Sequence, residues 1–170
     1  MEKGEKVKSI VVDAGGRIVG RTKLQKIAYL LEEAGEGDGF YFDYHHYGPY
    51  SEELSNAISI AVMNGDIDEE ERVANWGGHY SIYTTSSSST QSNDVRQRLV
   101  HKAAEANAVV LELAATAVYF ASRGEDDPWH ETEVRKPDKA AEERLEEAKR
   151  LYEALRCISD KLPAIETKTG

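Results

Sequence analysis

The stretch YHHYGPYSEEL, residues 44–54, concentrates side chains that could do chemistry. It holds the adjacent histidines His45 and His46, three tyrosines and two glutamates. Neighbouring residues in an extended segment point to opposite faces, so His45 and His46 are not expected to bind one metal ion. We therefore predict no metal site and no cofactor. The remaining histidines are scattered along the chain, without HxxxH or HxH spacing: His79, His101 and His130.

The sequence GPYS inside this stretch predicts a mechanical role. Pro49 has a fixed φ and no N–H, Gly48 tolerates a positive φ, and Ser51 suits a helix N-cap. The stretch is therefore expected to turn an extended segment into a helix. An alternative is that Tyr47 and Tyr50 line a groove beside the helix N-terminus, where an anion or carboxylate could bind.

Glu112 lies within the most apolar stretch of the chain, AVVLELAATAVYFA at 108–121. A buried carboxylate without a partner is costly, so Glu112 should pair with a basic residue or face a cleft. No second carboxylate, nucleophile or glycine-rich phosphate loop has a spacing that would complete an enzyme site. We predict a structural hydrogen-bonded pair for Glu112 and assign no catalytic residue.

Composition narrows the class of protein. The 170 residues are 40% hydrophobic and 31% charged, as in soluble globular proteins, and the net charge is −10. No apolar run reaches the roughly 20 residues of a bilayer span, and the N-terminus lacks the features of a secretion signal. The single cysteine, Cys157, excludes an intramolecular disulfide. We expect a cytoplasmic protein that does not bind membranes.

Helix and strand signals organise the first half. A first helix is predicted in EKVKSIVVDAGG, and a second in TKLQKIAYLLEEAG, with Thr22 as its N-cap and Gly35 at its end. Residues 40–47 are aromatic-rich and are predicted to be extended. Ser51 caps a third helix that runs to Asn64. IDEEERVA and HYSIYTT then form a hairpin around NWGG.

The second half is predicted to be helical. The polar sequence SSSSTQSN at 86–93 reads as a linker. Apolar residues at alternating spacings of three and four predict one long helix over 94–123. Pro128 follows an N-cap aspartate and starts a short helix, and Pro137 starts the last one. The tail at 161–170 is predicted to be disordered.

The order helix, helix, strand, helix and hairpin is typical of a winged helix. We predict an α+β fold that is mostly α. A winged-helix-like part at 1–85 with a small β-hairpin wing would pack against a helical part at 94–160, within a single domain at 1–160. The alternative is an unrelated small α+β domain.

Two segments carry a family resemblance. TKLQKIAYLLEEAG (22–35) and YHHYGPYSEELSNAISIAVMNGDI (44–67) resemble the YwgA-like proteins, which are close to the antitoxin domain of SocA, also called the Panacea domain. LELAATAVYFASRG (111–124), a tryptophan-containing helix and the Lys-Pro step at 136–137 resemble the rest of that family. The resemblance implies an antitoxin that neutralises a partner toxin or delivers it to a protease. The chain lacks a recognisable appended extension, so the resemblance names no partner.

Charge distinguishes two kinds of partner. A winged helix that binds DNA needs a basic third helix and wing. Residues 51–92 instead contain one basic residue, Arg72, so phosphate would be repelled. Nucleic-acid binding is disfavoured and would require the helix that carries Lys23 and Lys26. The acidic residues of this window are Glu52, Glu53, Asp66, Asp68, Glu69, Glu70 and Glu71.

We therefore predict a non-catalytic protein-binding module that resembles SocA/YwgA antitoxins, with a protein partner and homo-oligomerisation left open. The alternative is a winged-helix transcription regulator that binds DNA. The third hypothesis is a hydrolase or metalloenzyme, which would require His45 or His46 to meet Glu112 or His130 in one pocket. On the TKLQK helix, the side chains of Lys23, Gln25 and Lys26 are expected to point outward. The predicted contact residues are Lys23, Lys26, Tyr47, Tyr50 and Trp76.

Overall fold

The computed structural model describes residues 1–87, 94–141 and 143–166. The fold is α+β and mostly helical, as predicted. In chain order the described elements are α1 (Lys3–Asp13), β1 (Arg17–Val19), α2 (Arg21–Glu33), β2 (Asp43–His45), β3 (Gly48–Tyr50), α3 (Glu52–Met63), β4 (Asp68–Val73), β5 (His79–Thr84), α4 (Val95–Glu105), α5 (Ala108–Ser122), α6 (Pro128–Arg135) and α7 (Arg144–Ile158).

One antiparallel sheet has the strand order β1-β5-β4. The hairpin predicted around NWGG is present as β4–β5. Strand β1 was not predicted, and it pairs with β5 so that Ile18 lies opposite Tyr83. It has only three residues between Gly16 and Gly20, too few for an alternating pattern to be recognised. The winged-helix description of this part of the chain stays a prediction.

A second antiparallel hairpin, β2–β3, corrects the prediction for 40–47 and GPYS. The extended part is shorter than predicted, and Gly48–Tyr50 form the return strand rather than a break. Pro49 fits there, opposite Tyr44, because a two-stranded hairpin leaves one side of each strand without ladder hydrogen bonds. Ser51 then caps α3 as predicted, since its hydroxyl accepts from the backbone N–H of Leu54 at 3.0 Å.

The long helix predicted over 94–123 is two helices, α4 and α5. The break lies at Ala106 and Asn107, where Ala106 has an extended backbone. The Asn107 side chain accepts hydrogen bonds from the N–H groups of Val109 and Val110, and so caps α5. A side chain that bonds to its own following backbone favours a helix start over a helix interior.

Two other helices begin away from the predicted residue. Helix α2 begins at Arg21, one residue before the predicted N-cap Thr22. Its N-cap is Gly20, which has a φ of 99°. Helix α7 begins at Arg144, and not at Pro137. Residues 137–139 form a turn, and the ammonium groups of Lys136 and Lys139 contact the Glu112 carboxylate on α5.

Residues 88–93 of the predicted linker and 167–170 of the predicted tail lie outside the described residues. The tail prediction does not hold for 161–166. Leu162 and Ile165 are buried in the core, and the Tyr152 hydroxyl donates to the Pro163 carbonyl. Burial of the two apolar side chains offsets the entropy lost in ordering this segment.

Both halves of the chain share one hydrophobic core. Helix α5 packs against α2, α6, α7 and β3, while α1 packs against α3 and α4. The largely buried guanidinium of Arg96 on α4 bonds the carboxylates of Asp13 and Asp38 at 2.9 and 3.1 Å. It also donates to the Ser9 hydroxyl and the Glu36 carbonyl, both at 2.7 Å. In the part of the chain that the structure describes, no helix is long and apolar enough to cross a bilayer.

Candidate functional site

The two sequence segments that carry the family resemblance meet in the interior. Gln25 on α2 and Ser51 at the start of α3 are both buried. The side-chain amide of Gln25 donates to the Ser51 carbonyl at 2.9 Å, and its oxygen accepts from the Ser51 N–H at 2.9 Å. The TKLQK helix thereby fixes the position of GPYS through two buried hydrogen bonds.

Lys26 is 1% exposed, so its prediction as an outward contact residue is wrong. The β2–β3 hairpin covers this face of α2, and the Lys26 ammonium donates to the Pro49 carbonyl at 2.6 Å. Burial lowers the pKa of Lys26 to about 7. Glu112 opposes this shift, whereas the positive charges of Lys136 and Lys139 add to it.

Gly48 lies close to α5. Its φ is 90°, and a Cβ at this position would lie 2.6 Å from the Thr116 hydroxyl oxygen. Both the backbone conformation and the close approach favour glycine here. The hairpin can therefore lie directly on α5, above the buried polar groups.

Glu112 finds the basic partners that were expected for a structural pair. Its carboxylate is 3.1 Å from the Lys136 ammonium and 2.7 Å from the Lys139 ammonium. The Glu112 and Lys136 side chains are about 4% and 5% exposed, while that of Lys139 is 33% exposed. Lys136 also donates to the His46 carbonyl at 3.2 Å. One carboxylate thus holds two ammonium groups beneath the hairpin turn.

An open cleft of about 720 Å³ lies between the β2–β3 turn and the connection from α6 to α7. We call it the lysine cleft. The Tyr47 ring is half exposed and lies above the Lys139 ammonium, 4.6 Å from ring centroid to nitrogen. The lining residues are Tyr44, His45, His46, Tyr47, Arg135, Lys136, Pro137, Asp138 and Lys139.

The two histidines contact tyrosines. The His45 ring lies 4.9 Å from the Tyr50 ring, and the His46 ring lies 5.7 Å from the Tyr47 ring. The Glu112 oxygens contact lysine ammonium groups instead. The described contacts therefore do not bring His45 or His46 to Glu112, which is one of the two meetings that the enzyme hypothesis requires. No described cluster of three His, Cys, Asp or Glu side chains could hold a metal ion.

Lys23 and Trp76 line a second groove, of about 560 Å³, between the start of α2 and the β4–β5 hairpin. Trp76 is 80% exposed at the hairpin turn. Lys23 is half-buried, and its ammonium donates to the Ala104 carbonyl at 3.0 Å. The structure thus brings Lys23 and Trp76 to one groove and Tyr47 to the lysine cleft. Tyr50 lies opposite Asp43 on the hairpin and is not a lining residue of that cleft, and Lys26 is buried.

The basic surface that the DNA-binding hypothesis required does not form from Lys23 and Lys26. One of them is buried, and the other bonds a backbone carbonyl of α4. The neighbouring Arg21 guanidinium contacts the Glu69 carboxylate at 3.3 Å. All six residues of β4 are exposed, and four of them are acidic.

Several residues of the site were missed by reasoning from the sequence. The sequence predicts an outward position for Gln25 and indicates no role for Thr116. The expectation that Glu112 needs a basic partner was a usable signal. The partners are Lys136, in the Lys-Pro step, and Lys139, three residues after it. Nothing local in the sequence indicates which lysine lies near in space, because 24 and 27 residues separate Lys136 and Lys139 from Glu112.

Comparison with known proteins identifies a relative over most of the chain. The chain is 27% identical over 155 residues to the uncharacterized protein YwgA of Bacillus subtilis (strain 168), covering 87% of this chain and 93% of that protein. The chain is similar to YwgA over most of its length. No protein-family profile matches the chain, and no solved structure matches it. The similarity supports the resemblance to YwgA noted from the two segments, and it transfers no activity because that of YwgA is not assigned.

Proposed function

We propose that this protein is a non-catalytic protein-binding module of the SocA/YwgA antitoxin type, which neutralises or delivers a basic partner protein by binding it. The observation that carries the proposal is the β4–β5 hairpin, where an exposed tryptophan adjoins an exposed acidic strand.

The acidic strand β4 supports a basic partner. Asp68 and Glu69–Glu71 give this strand four carboxylates against the single guanidinium of Arg72. Within the described sheet, β4 pairs only with β5, so its other edge is available to a further strand. Negative potential speeds association with a basic surface and opposes binding to phosphates.

Trp76 supports an anchor at the hairpin turn. Its side chain is 80% exposed, and its ring lies against Gly78, where a Cβ would collide with it. Contact with the Gly78 backbone limits the positions that the ring can adopt, so less entropy is lost when a partner covers it. Tryptophan is among the residues enriched at the energetic centres of protein interfaces.

The test begins with affinity capture of the tagged protein from native extract, with and without nuclease. A captured protein is then purified and its affinity is measured by calorimetry. The variants are Trp76→Ala and the charge reversal Glu70→Lys. The matched control is Tyr41→Ala, which removes another exposed aromatic ring, at 69% exposure, from outside this hairpin.

We expect to capture a basic protein whose recovery is unchanged by nuclease treatment. Expression of that protein alone should inhibit growth, and co-expression of this chain should relieve the inhibition. Its affinity should fall by about tenfold or more in both hairpin variants, as at an interface hot spot, and should be retained in Tyr41→Ala. A partner whose affinity is unchanged in both hairpin variants would place the interface elsewhere. Nucleic acid recovered in place of protein would favour the transcription regulator.

A further inference from the structure

We propose that the lysine cleft binds a ligand that carries one carboxylate on a flat apolar group. This site lies on the β2–β3 hairpin, whereas the proposed protein interface lies on the β4–β5 hairpin, so the two proposals stand on separate residues.

The first argument is the balance of charge at the floor of the lysine cleft. Glu112 supplies one negative charge to the ammonium groups of Lys136 and Lys139. Lys139 uses two hydrogen bonds on the two oxygens of Glu112, at 3.0 and 2.7 Å, although an ammonium group has three donors. Its side chain is one-third exposed, so its remaining donor can reach a ligand.

The surplus of one positive charge is confined to this floor, because the rim has two acidic side chains against one basic side chain. Arg135 at the rim is paired with Glu131 at 2.9 Å, and Asp138 is exposed. Lys26 lies behind the hairpin and adds positive charge when it is protonated. A monoanion matches this surplus better than a doubly charged phosphate does, because the second negative charge would face Asp138 and Glu112 without a partner.

The second argument is the aromatic lining. Tyr44 packs against Tyr119 and Phe120, with ring centroids 5.2 and 5.5 Å apart, and is held in place. Tyr47 lies above Lys139 and remains half exposed. A flat ligand could stack on the Tyr47 ring while its carboxylate meets the lysine.

The third argument is size. The cleft of about 720 Å³ falls within the roughly 300–1,000 Å³ typical of sites for organic ligands. Two sources share the required chemistry: a free aromatic acid, and the C-terminal residue of a peptide. Both present one carboxylate next to an apolar group, and the experiment separates them.

The test is an NMR titration of the isotope-labelled protein with four probes. The first two are benzoate and its neutral counterpart benzamide. The others are the peptide acetyl-Ala-Phe with a free C-terminal carboxylate, and the same peptide with a C-terminal amide. The variant Lys139→Gln removes the exposed ammonium, and Lys102→Gln makes the same charge change on an exposed lysine of α4.

We expect at least one carboxylate probe to shift the amide resonances of 44–47 and 135–139, with little response to benzamide or the amidated peptide. Affinity should fall about tenfold in Lys139→Gln through loss of a charge-assisted hydrogen bond, and should stay unchanged in Lys102→Gln. Benzoate alone would identify a free acid as the ligand class, and the peptide alone would identify a chain terminus.

The proposal is overturned if no carboxylate probe shifts these resonances, if benzamide binds as tightly as benzoate, or if Lys139→Gln binds as well as the wild type. Should Lys139→Gln fail to fold, the comparison of each carboxylate probe with its neutral counterpart on the wild-type protein decides. Binding of a protein partner through Trp76 is measured separately, so failure here leaves that proposal intact.

Discussion

The side-chain amide of Gln25 makes hydrogen bonds to both backbone polar atoms of Ser51. A buried glutamine on one helix thus satisfies the residue that caps the next helix. Ser51 can then use its hydroxyl for the Leu54 N–H, as a helix cap requires. The position of α3, and of the β2–β3 hairpin before it, depends on this contact.

Replacement of Gln25 by leucine should therefore destabilise the fold. The change keeps the volume but leaves the Ser51 N–H without its partner. The Ser51 carbonyl loses one hydrogen bond and keeps the one from the Ser55 N–H, at 3.1 Å. An unsatisfied buried group costs about 1–3 kcal/mol, so we expect a loss of about 1–3 kcal/mol in the free energy of unfolding, measured in urea. Asn56→Ala, on the exposed face of α3, should change stability by less than about 0.5 kcal/mol. Equal stability of the two variants would contradict the role given to Gln25.

Substitution of alanine at Gly48 tests the close approach of the hairpin to α5. Both Gly48 and Gly39 have a φ of 90°, but nothing lies within 4 Å of a Cβ at Gly39. Gly39→Ala should cost about 1–2 kcal/mol from the backbone conformation alone. Gly48→Ala should cost at least about 1 kcal/mol more, because its Cβ meets the Thr116 hydroxyl.

A double-mutant cycle with Thr116→Ala isolates this contact. Removal of the hydroxyl should recover much of the extra cost of Gly48→Ala and little of the cost of Gly39→Ala. If both glycine variants respond alike to Thr116→Ala, the hairpin does not press on α5 at this point.

The buried ammonium of Lys26 should make stability depend on pH. Its pKa is about 7 in the folded protein, lowered from 10.5, so between these values the unfolded chain binds a proton that the folded chain does not. Stability from this group therefore rises with pH over that window, by about 2 kcal/mol from pH 7 to 9. Below pH 7 both states are protonated, and the contribution is constant.

Lys26→Met supplies the comparison, because it removes the titrating group and keeps a long apolar side chain. The difference in unfolding free energy between wild type and variant, measured from pH 6 to 9, should grow in favour of the wild type above pH 7. The groups that face Lys26, namely Glu112, Lys136 and Lys139, remain in both proteins. A difference that does not change with pH would show that Lys26 stays charged.

Glu112→Gln should destabilise the protein by about 3–5 kcal/mol, because it leaves the two lysines it contacts without their negative charge. Glu133→Gln is the matched control on the exposed face of α6 and should have little effect. Addition of Lys139→Gln to Glu112→Gln should restore part of the loss, since one of the two unpaired ammonium groups is then gone. Thermal unfolding followed by circular dichroism is measured for the wild type, Glu112→Gln, Lys139→Gln, the double variant and Glu133→Gln. Additive losses would mean that the pair does not interact.

Local signals predicted much of this fold. The cap at Ser51, the hairpin around NWGG and the helix that starts at Pro128 depend on residues within a few positions of each other, and all three are present. The break at Asn107 was hidden, because the apolar spacing of three and four continues from α4 into α5. Periodicity alone does not distinguish a bend between two helices from a continuous helix.

The candidate site was harder to predict because distant segments build it. On α2 every residue from Leu24 to Leu31 is buried, including Gln25 and Lys26. Their polar side chains suggested a solvated face, and the hairpin that covers them lies further along the chain. Polar residues on a buried helix face become understandable only when the backbone groups that they satisfy are known.

The central position of α5 has a consequence for how the chain could be divided. Its packing partners include α2 and β3 from the first half and α6 and α7 from the second. A single backbone cut within 88–93 would separate α5 from α2 and β3, leaving each fragment with an uncovered apolar face. The two fragments should therefore be poorly folded alone and should reassemble when mixed, which would make this protein a candidate for a split reporter.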